Sequence, residues 1–190
     1  MNYYVVAWSG PFGFIKPWTA VRDGETFSQQ FLTPSIVEGM RQRLGVSAIL
    51  RHRLSYNGLS KQQERIQSAG YEIKKPRGSK HRIAFRNLSI LDRNVMLDPL
   101  LHLAFANRGE AALAADEHLC LCRNEDVVFP VSPEPVPMNE SEFDVLDGFE
   151  LRFGREREGA FQVGFNRYED YEPMYGALLI VGESTKNAGF

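Results

Sequence analysis

Short apolar and aromatic stretches alternate with polar segments that contain glycine or proline along the chain. The first stretch, from Tyr3 to Trp8, is rich in β-branched and aromatic residues and predicts a buried strand. Gly10, Pro11 and Gly13 follow it and indicate a loop. The chain therefore opens with a strand that runs into a long aromatic and polar loop.

Helix signals occur in three places. Thr33 is typical of an N-cap, and Pro34 suits the first helical position because its missing N–H costs no hydrogen bond there. These two residues predict a helix over residues 34–44. Residue composition predicts two further helices, over residues 60–69 and 110–117.

The remaining apolar runs predict strands. A tight turn at Asp92-Arg93-Asn94 is predicted between two of them. Four prolines between residues 130 and 137 exclude a helix or a central strand in that segment. The predicted strands cover residues 48–54, 83–91, 95–106, 119–122, 127–131, 149–153, 160–165 and 175–181.

The order of these elements predicts an α+β protein. The succession strand, helix, strands, helix, strand fits a ferredoxin-like (RNA-recognition-motif-like) core in residues 1–129, with a basic hairpin or loop in its middle. Residues 130–190 are expected to form a proline-rich connection and a short, mostly β C-terminal part.

Charge is distributed unevenly along the 190 residues, although the formal net charge is −2. Residues 41–93 contain 13 Lys and Arg against 3 Asp and Glu, whereas residues 94–190 contain 7 against 18. This asymmetry predicts one surface that faces an anion and another that faces water or a basic partner. The alternative is two solvated faces that attract each other within the fold. An acidic tract that includes Asp144 and Glu150 is expected to be a solvated edge, with which Arg152 could pair at little net gain.

Three features follow one another between Tyr3 and Val46: a first strand that runs into Trp8-Ser9-Gly10-Pro11-Phe12, a helix start at Thr33-Pro34-Ser35, and Gly39 soon afterwards. In order and spacing this segment resembles the Cas five family, CRISPR-associated subunits that hold the 5′ end of the guide RNA in Cascade-type complexes. Weaker similarities lie at residues 86–105 and 122–125.

The resemblance implies a ferredoxin-like fold and a non-catalytic, RNA-binding subunit of a multisubunit CRISPR effector complex, which holds the 5′ handle of the guide RNA (crRNA). The partners it implies are the guide RNA, the CRISPR backbone subunits and a large subunit, and it leaves target DNA open as a further partner.

Aromatic and basic residues are interleaved in the first 53 residues. Single-stranded RNA is held in this way, because cations neutralise phosphates and rings stack on unpaired bases. Arg51 and Arg53 share one face of a predicted strand and are expected to form a phosphate track, with His52 on the other face. For Trp18, core packing and base stacking are both open. The predicted RNA-binding residues are Lys16, Trp18, Arg22, Thr33, Ser35, Arg41, Arg51, Arg53, Lys74, Lys75, Arg77, Lys80, His81 and Arg82.

Residues 74–82 carry five Lys and Arg and one His in nine positions. A basic loop of this kind binds phosphates without reading sequence, and a merely solvated loop is the alternative. The family resemblance implies a hairpin here that contacts the guide or a neighbouring backbone subunit.

A metal-independent endoribonuclease that matures precursor guide RNA is the alternative function. Some members of the family cleave with Tyr, Lys and His, because attack by a 2′-OH needs general acid–base help and a nearby cation. Lys80 and His81 are adjacent, and Tyr56 would complete such a cluster if the loop folded back. The tyrosine that these enzymes carry at the end of the first helix has no counterpart in residues 40–46, so a non-catalytic protein is expected. A third hypothesis is a protein–protein adaptor that acts through the acidic second half.

Cys120 and Cys122 are expected to be reduced thiols, because residues two apart in a strand point the same way and no second Cys pair could complete a metal site. No metal or cofactor is expected. No apolar run approaches the ~20 residues of a membrane span, and the N-terminus lacks the basic and apolar regions of a secretory signal. We therefore expect a cytoplasmic protein without membrane contact.

Overall fold

A computed structural model describes residues 2–18 and 24–185, so Arg22 lies outside the described residues. The helices are α1 (Pro34–Leu44), α2 (Arg108–Ala115) and α3 (Glu140–Asp144). The strands are β1 (Asn2–Ser9), β2 (Phe12–Gly13), β3 (Glu25–Phe27), β4 (Arg51–Ser55), β5 (Gly58–Lys74), β6 (Ile83–Leu97), β7 (Leu100–Phe105), β8 (Leu119–Cys120), β9 (Val127–Pro130), β10 (Val136–Asn139), β11 (Gly148–Phe153), β12 (Phe161–Asn166) and β13 (Glu172–Val181).

Most of these strands form one large antiparallel sheet, in the order β12-β13-β11-β4-β7-β1-β9-β8. The strand β10 pairs with the first half of β1, beside the pairing of β9 with its end. Helices and an antiparallel sheet together confirm the predicted α+β class. The centre of the sheet, in the order β9-β1-β7-β4, is the part against which the helices pack.

Both faces of β1 are buried, which explains its nearly continuous apolar sequence. Val6 and Trp8 join the main core with the apolar sides of α1 and α2, and the indole N–H of Trp8 donates to the Glu117 carbonyl at 2.9 Å. Tyr3 and Val5 point to the opposite face. There they pack with Phe143 of α3, so short helices cover both sides of the central strands.

The prediction of a helix over residues 34–44 is confirmed by α1. Thr33 has the extended backbone of an N-cap, and Gly45 ends the helix at a φ of 67°, a left-handed conformation that glycine adopts without cost. The predicted helix over residues 110–117 begins two residues earlier, because the side chain of Asn107 caps it by accepting a hydrogen bond from the Glu110 N–H.

A long β-hairpin, β5 and β6, replaces two of the predictions, and we refer to it as the arm. The helix predicted over residues 60–69 is wrong, since this segment is part of β5 and its residues 60–67 pair with β6. Cross-strand pairing has overridden a composition that favours helix, which is only a weak local preference. The turn predicted at Asp92-Arg93-Asn94 is also wrong. The chain continues through β6 and reverses at Asp98, whose φ of 46° is one that aspartate tolerates.

The arm belongs to a second, smaller sheet. Near its base, β2 pairs antiparallel with β6, and β3 pairs parallel with it at Asp92 to Asn94. Beyond Leu91, β5 and β6 pair only with each other within the described residues. The outer half of the arm is therefore a two-stranded ribbon.

The C-terminal part is mostly β, and it extends the large sheet rather than starting a new one. The strand β11 pairs with β4 at Phe149 and Leu54, and β12 and β13 continue the sheet beyond it. The proline-rich connection is extended, and its second half forms β10 at the side of β1, where prolines are tolerated. The division of the chain at residue 130 stays a prediction.

Candidate nucleic-acid interface

The tip of the arm consists of Lys74, the last residue of β5, and the connection to β6, residues 75–82. Its turn is closed by a hydrogen bond from the Ser79 N–H to the Pro76 carbonyl at 3.1 Å, and Gly78 takes the left-handed φ of 82° that the turn requires. The Ser79 hydroxyl accepts from the His81 N–H at 3.0 Å. These local bonds fix the turn. The exposed basic residues of the tip are Lys74, Lys75, Arg77, Lys80, His81 and Arg82.

Most of the cations at the tip face solvent without a counter-ion. Lys74 pairs with Glu72 at 2.8 Å. In the described part of the chain, Lys75, Arg77, Lys80 and Arg82 form no ion pair. Four like charges at the end of a narrow ribbon produce a positive potential that attracts phosphates, with little dependence on base sequence.

The outer half of the arm also exposes apolar side chains. Two strands alone are only marginally stable in water, and exposed apolar surface of this kind commonly marks an interaction site. The arm is thus suited to contact a protein along its shaft and an anion at its tip. The apolar residues that are 43% to 65% exposed include Ile73, Ile83, Phe85, Leu88 and Ile90.

The phosphate track predicted at Arg51 and Arg53 is contradicted by the structure, because both side chains are buried in the sheet. They are 6% and 0% exposed, and both bind Glu150, which is 2% exposed. The Arg51 Nε donates to Glu150 Oε1 at 2.6 Å, and the Arg53 Nη2 to Glu150 Oε2 at 3.0 Å. Arg51 also donates to Asp144 at 2.8 Å. The two arginines therefore hold β4 against β11 and α3.

The ionisation of this cluster follows from its burial. Burial works against the charged form of Arg51, but its bonds to Glu150 and Asp144 outweigh it and raise the pKa of the Arg51 guanidinium. The bond to Arg51 lowers the pKa of the Asp144 carboxyl. Burial lowers the pKa of His52 to about 4, so this imidazole is neutral at pH 7 and accepts a hydrogen bond from the Leu151 N–H at 3.3 Å. The expectation of a solvated acidic edge is thus wrong for Glu150.

The N-terminal loop contributes two of the predicted residues at the surface. Lys16 is exposed, and Trp18 is 49% exposed with its ring edge-to-face against Phe165 at 6.0 Å between centroids. Phe14, in contrast, is fully buried beneath the guanidinium groups of Arg93 and Arg123. In this loop, Phe14 thus belongs to the core, whereas the ring of Trp18 lies at the surface.

Fewer of the predicted RNA-binding side chains on α1 are accessible than the sequence indicated. The Thr33 side chain is 5% exposed and lies 3.3 Å from the Ser35 hydroxyl, with no capping hydrogen bond to the backbone. Arg41 is held by Glu38, to which its Nε donates at 2.7 Å, and by the Val46 carbonyl at 2.9 Å. Ser35 lines an open groove on one side of α1, and the paired Arg41 and Glu38 line a separate one.

The groove beside Ser35 was not predicted. It lies between α1 and the turn that joins β12 to β13, and it is lined in part by Arg43, Phe165, Arg167 and Tyr168. A sequence signal did exist, because aromatic and basic residues alternate in residues 165–168, as they do in the N-terminal loop. Cys120 and Cys122 also line this groove, both as free thiols.

The three residues of the alternative ribonuclease site lie at opposite ends of the arm. Tyr56 precedes β5 at its base, where it is 4% exposed, and its hydroxyl accepts a hydrogen bond from Gln30 at 2.5 Å. Lys80 and His81 lie at the tip, and the 17 residues of β5 span about 50 Å at about 3.3 Å per residue. The arrangement does not bring the tyrosine to the Lys-His pair.

The fold defines an α+β chain with a large antiparallel sheet and a projecting β-hairpin. It is similar to a chain of a solved structure described as "CRISPR RNA-guided surveillance complex", with a TM-score of 0.53 over 98% of this chain and 94% of that chain. The two sequences are 12% identical, so the similarity establishes the fold alone. Neither a family model nor a curated protein matches the sequence.

In the part of the chain that the structure describes, no helix is long and apolar enough to cross a membrane. The cytoplasmic location stays a prediction.

Proposed function

We propose that this chain is an RNA-binding subunit of a multisubunit CRISPR effector complex and that it holds the 5′ handle of the guide RNA. The observation that carries RNA binding is the exposed arm tip. Its cations Lys75, Arg77, Lys80 and Arg82 have no counter-ion among the described residues. Such a cluster binds the phosphates of an RNA of any sequence. Recognition of one particular RNA sequence therefore depends on other contacts, made to its bases.

Membership of a CRISPR complex is supported by the fold. The similarity to a chain of a CRISPR RNA-guided surveillance complex extends over nearly the whole of both chains. It agrees with the resemblance of the first 46 residues to the Cas five family. The exposed apolar shaft of the arm supports contact with a neighbouring protein, for which we propose a backbone subunit. A large subunit and target DNA are further partners in this proposal.

The central part of the fold is proposed to be a ferredoxin-like core. In support, β1, α1, β4, β7, α2 and β9 follow one another along the chain, and their strands lie in the order β9-β1-β7-β4 with antiparallel neighbours. Both helices pack on one face of this sheet. The arm is then an insertion between the second and third strands of the core.

A non-catalytic role is part of the proposal. Its support is the separation of Tyr56 from Lys80 and His81 along the arm, which leaves the Lys-His pair without a hydroxyl partner from that residue. Incubation of the purified protein with repeat RNA in EDTA tests this role. Intact RNA is the expected result, whereas cleavage that is lost in His81→Ala would establish the ribonuclease instead.

The RNA-binding proposal is tested by co-expressing the chain with a guide RNA and the proposed backbone subunits. The variant reverses two charges at the tip, Lys80→Glu with Arg82→Glu. The matched control is Arg108→Glu on α2, where the arginine is 70% exposed and, within the residues that the structure describes, pairs with one exposed glutamate, Glu134. We expect the tip variant to retain at most about one tenth of the RNA that the wild type retains, because its phosphate contacts are replaced by repulsion. The control should retain as much RNA as the wild type.

Equal RNA retention in the tip variant and the control would contradict the role of the arm. An assembly that forms without any RNA, visible in the ratio of absorbance at 260 and 280 nm, would favour the protein–protein adaptor.

A further inference from the structure

Aromatic and basic side chains meet in the groove between α1 and the turn that joins β12 to β13. The groove has a volume of about 410 Å³ and is lined by two arginines, Arg43 and Arg167, and, among residues 2–18 and 24–185, by no carboxylate. Its volume lies within the range of about 300–1,000 Å³ that is typical of small-ligand sites. It is therefore large enough to take a compact group that combines an apolar body with a negative charge.

Three aromatic rings are exposed at or beside this groove. Phe165 and Tyr168 line it and are 51% and 40% exposed, and Trp18 packs against Phe165 from the N-terminal loop. A bulge between Gln162 and Gly164 interrupts the alternation of β12, so that Val163 is buried whereas Phe165 faces outward. Bulges re-aim side chains in this way and are common beside functional sites.

The turn that carries Arg167 and Tyr168 is fixed by Asn166, which is 7% exposed. The Asn166 side-chain oxygen accepts from the Tyr168 N–H at 3.1 Å, and its amide donates to Glu169 at 2.9 Å. The backbone carbonyl of Asn166 accepts from the Tyr171 N–H at 3.0 Å. These bonds hold the tyrosine ring at the groove before any ligand arrives, which lowers the ordering cost of binding.

The charge available in the groove comes mainly from Arg167. Arg43 is already paired with Glu117 at 2.8 Å. In the described part of the chain Arg167 has no carboxylate partner, and its guanidinium lies 4.9 Å from the centre of the Tyr168 ring while it donates to the Tyr168 hydroxyl at 2.8 Å. A cation held on one side of an aromatic ring, next to an open groove, suits a phosphate attached to a stacked base.

The turn approaches α1 closely at Gly39, where a small residue is needed. A Cβ at this position would lie 3.4 Å from the Tyr168 hydroxyl and 3.6 Å from the Arg167 guanidinium. An alanine would just fit, and a longer side chain would enter the groove. The absence of a side chain here thus leaves room between the helix and the tyrosine.

We infer that this groove holds one unpaired nucleotide of the bound RNA, with its base against the rings of Tyr168 and Phe165 and its phosphate beside Arg167. The inference rests on the proposed RNA-binding function and adds a contact that the arm cannot supply. The arm tip contacts the phosphate backbone alone, whereas this groove distinguishes a strand with bases from one without them.

The test compares two labelled RNA oligomers of equal length, a single-stranded oligouridylate and an abasic oligomer with the same number of phosphates. Fluorescence anisotropy gives the dissociation constant of each for the full chain. The variant is Tyr168→Ala. The matched controls are Tyr171→Ala, in the same turn but outside the groove, and Tyr168→Phe, which keeps the ring.

We expect the wild type to prefer the oligouridylate. Tyr168→Ala should reduce that preference by about 5- to 150-fold, which is the contribution of one stacked base. Both controls should keep the preference, and no variant should change binding of the abasic oligomer by more than a small factor. Phe165→Ala, as a second variant, should act in the same direction as Tyr168→Ala.

The failures of the two proposals are distinguishable. If the wild type binds both oligomers equally, or if Tyr168→Ala keeps the full preference, the nucleotide site is refuted while RNA binding through the backbone stands. If the wild-type full chain binds neither oligomer, both the site and the proposed function are refuted.

Discussion

Replacing Glu150 with Gln removes the carboxylate that two buried arginines share, while the size of the side chain is kept. Glu150 is 2% exposed and lies on β11, and both Arg51 and Arg53 reach it from β4. The substitution therefore leaves an excess of positive charge inside the sheet, where β4 pairs with β11.

The expected size of the effect follows from the burial of the cluster. Removing one partner of a buried ion pair typically destabilises a protein by about 3–5 kcal/mol. Arg51 keeps its bond to Asp144 at 2.8 Å, and glutamine keeps one oxygen acceptor, so the lower end of this range is expected for Glu150→Gln. With a urea m-value of about 1–3 kcal/mol per molar, the unfolding midpoint should fall by about 1–3 M.

The assay is urea unfolding at pH 7, with Glu38→Gln as the matched control. Glu38 pairs with Arg41 at 2.7 Å, but its side chain is 31% exposed and the pair lies on one helix. Exposed pairs of this kind contribute about 0–1 kcal/mol. The same chemical change should therefore have a much smaller effect at residue 38 than at residue 150.

Equal midpoints for Glu150→Gln and Glu38→Gln would refute the reasoning. That result would mean that Arg51 and Arg53 do not need the charge of Glu150 to compensate their own. Their side chains would then reach solvent, as the alternating sequence pattern of β4 first suggested.

Two further predictions concern stability. Burial lowers the pKa of His52 to about 4. Between pH 6.5 and pH 4 the unfolded chain therefore binds a proton at this residue more readily than the folded chain does. The contribution of His52 to the free energy of unfolding should be fully present above this window, and the free energy should fall by about 2 kcal/mol between pH 7 and pH 5. His52→Gln should flatten the pH dependence of the urea midpoint in this window, and an unchanged slope would contradict the burial. Gly39→Ala should stabilise the protein by about 1 kcal/mol, because alanine favours a helix interior and its Cβ meets the Tyr168 hydroxyl at the ordinary contact distance of 3.4 Å. A lower midpoint for Gly39→Ala would show that the helix and the turn lie closer together.

Local signals made α1 and the first strand predictable from sequence. Thr33, Pro34 and Gly45 specify the ends of α1 by themselves, because capping and left-handed backbone preferences act within one turn. The strand β1 is apolar on both faces, so its sequence agrees with its position at the centre of the sheet.

The arm could not be predicted in the same way. Residues 60–69 consist largely of residues that favour helix, and only their pairing with a strand about thirty positions later makes them a β-strand. The basic tip was visible as a cluster of charges, but the ribbon that carries it away from the sheet was not.

The role of Arg51 and Arg53 depended on a still more distant residue. Their alternation with His52 correctly indicated a shared face, but the partner that buries them, Glu150, is 97 to 99 positions away. The groove beside Tyr168 was missed for a related reason, since it exists only where the β12–β13 turn meets α1. Each segment of such a site carries only part of its pattern, as the aromatic and basic residues 165–168 do, and the sequence does not show which distant segments meet.

The most direct test of the central claim, that the arm tip binds the RNA backbone, is the salt dependence of RNA binding by the wild type and by Lys80→Ala with Arg82→Ala. Each phosphate contact to a single strand contributes about 0.7 to the slope of log affinity against log salt concentration. The double variant should therefore have a slope about 1.4 smaller in magnitude than the wild type. An unchanged slope, with affinity also unchanged, would contradict the claim.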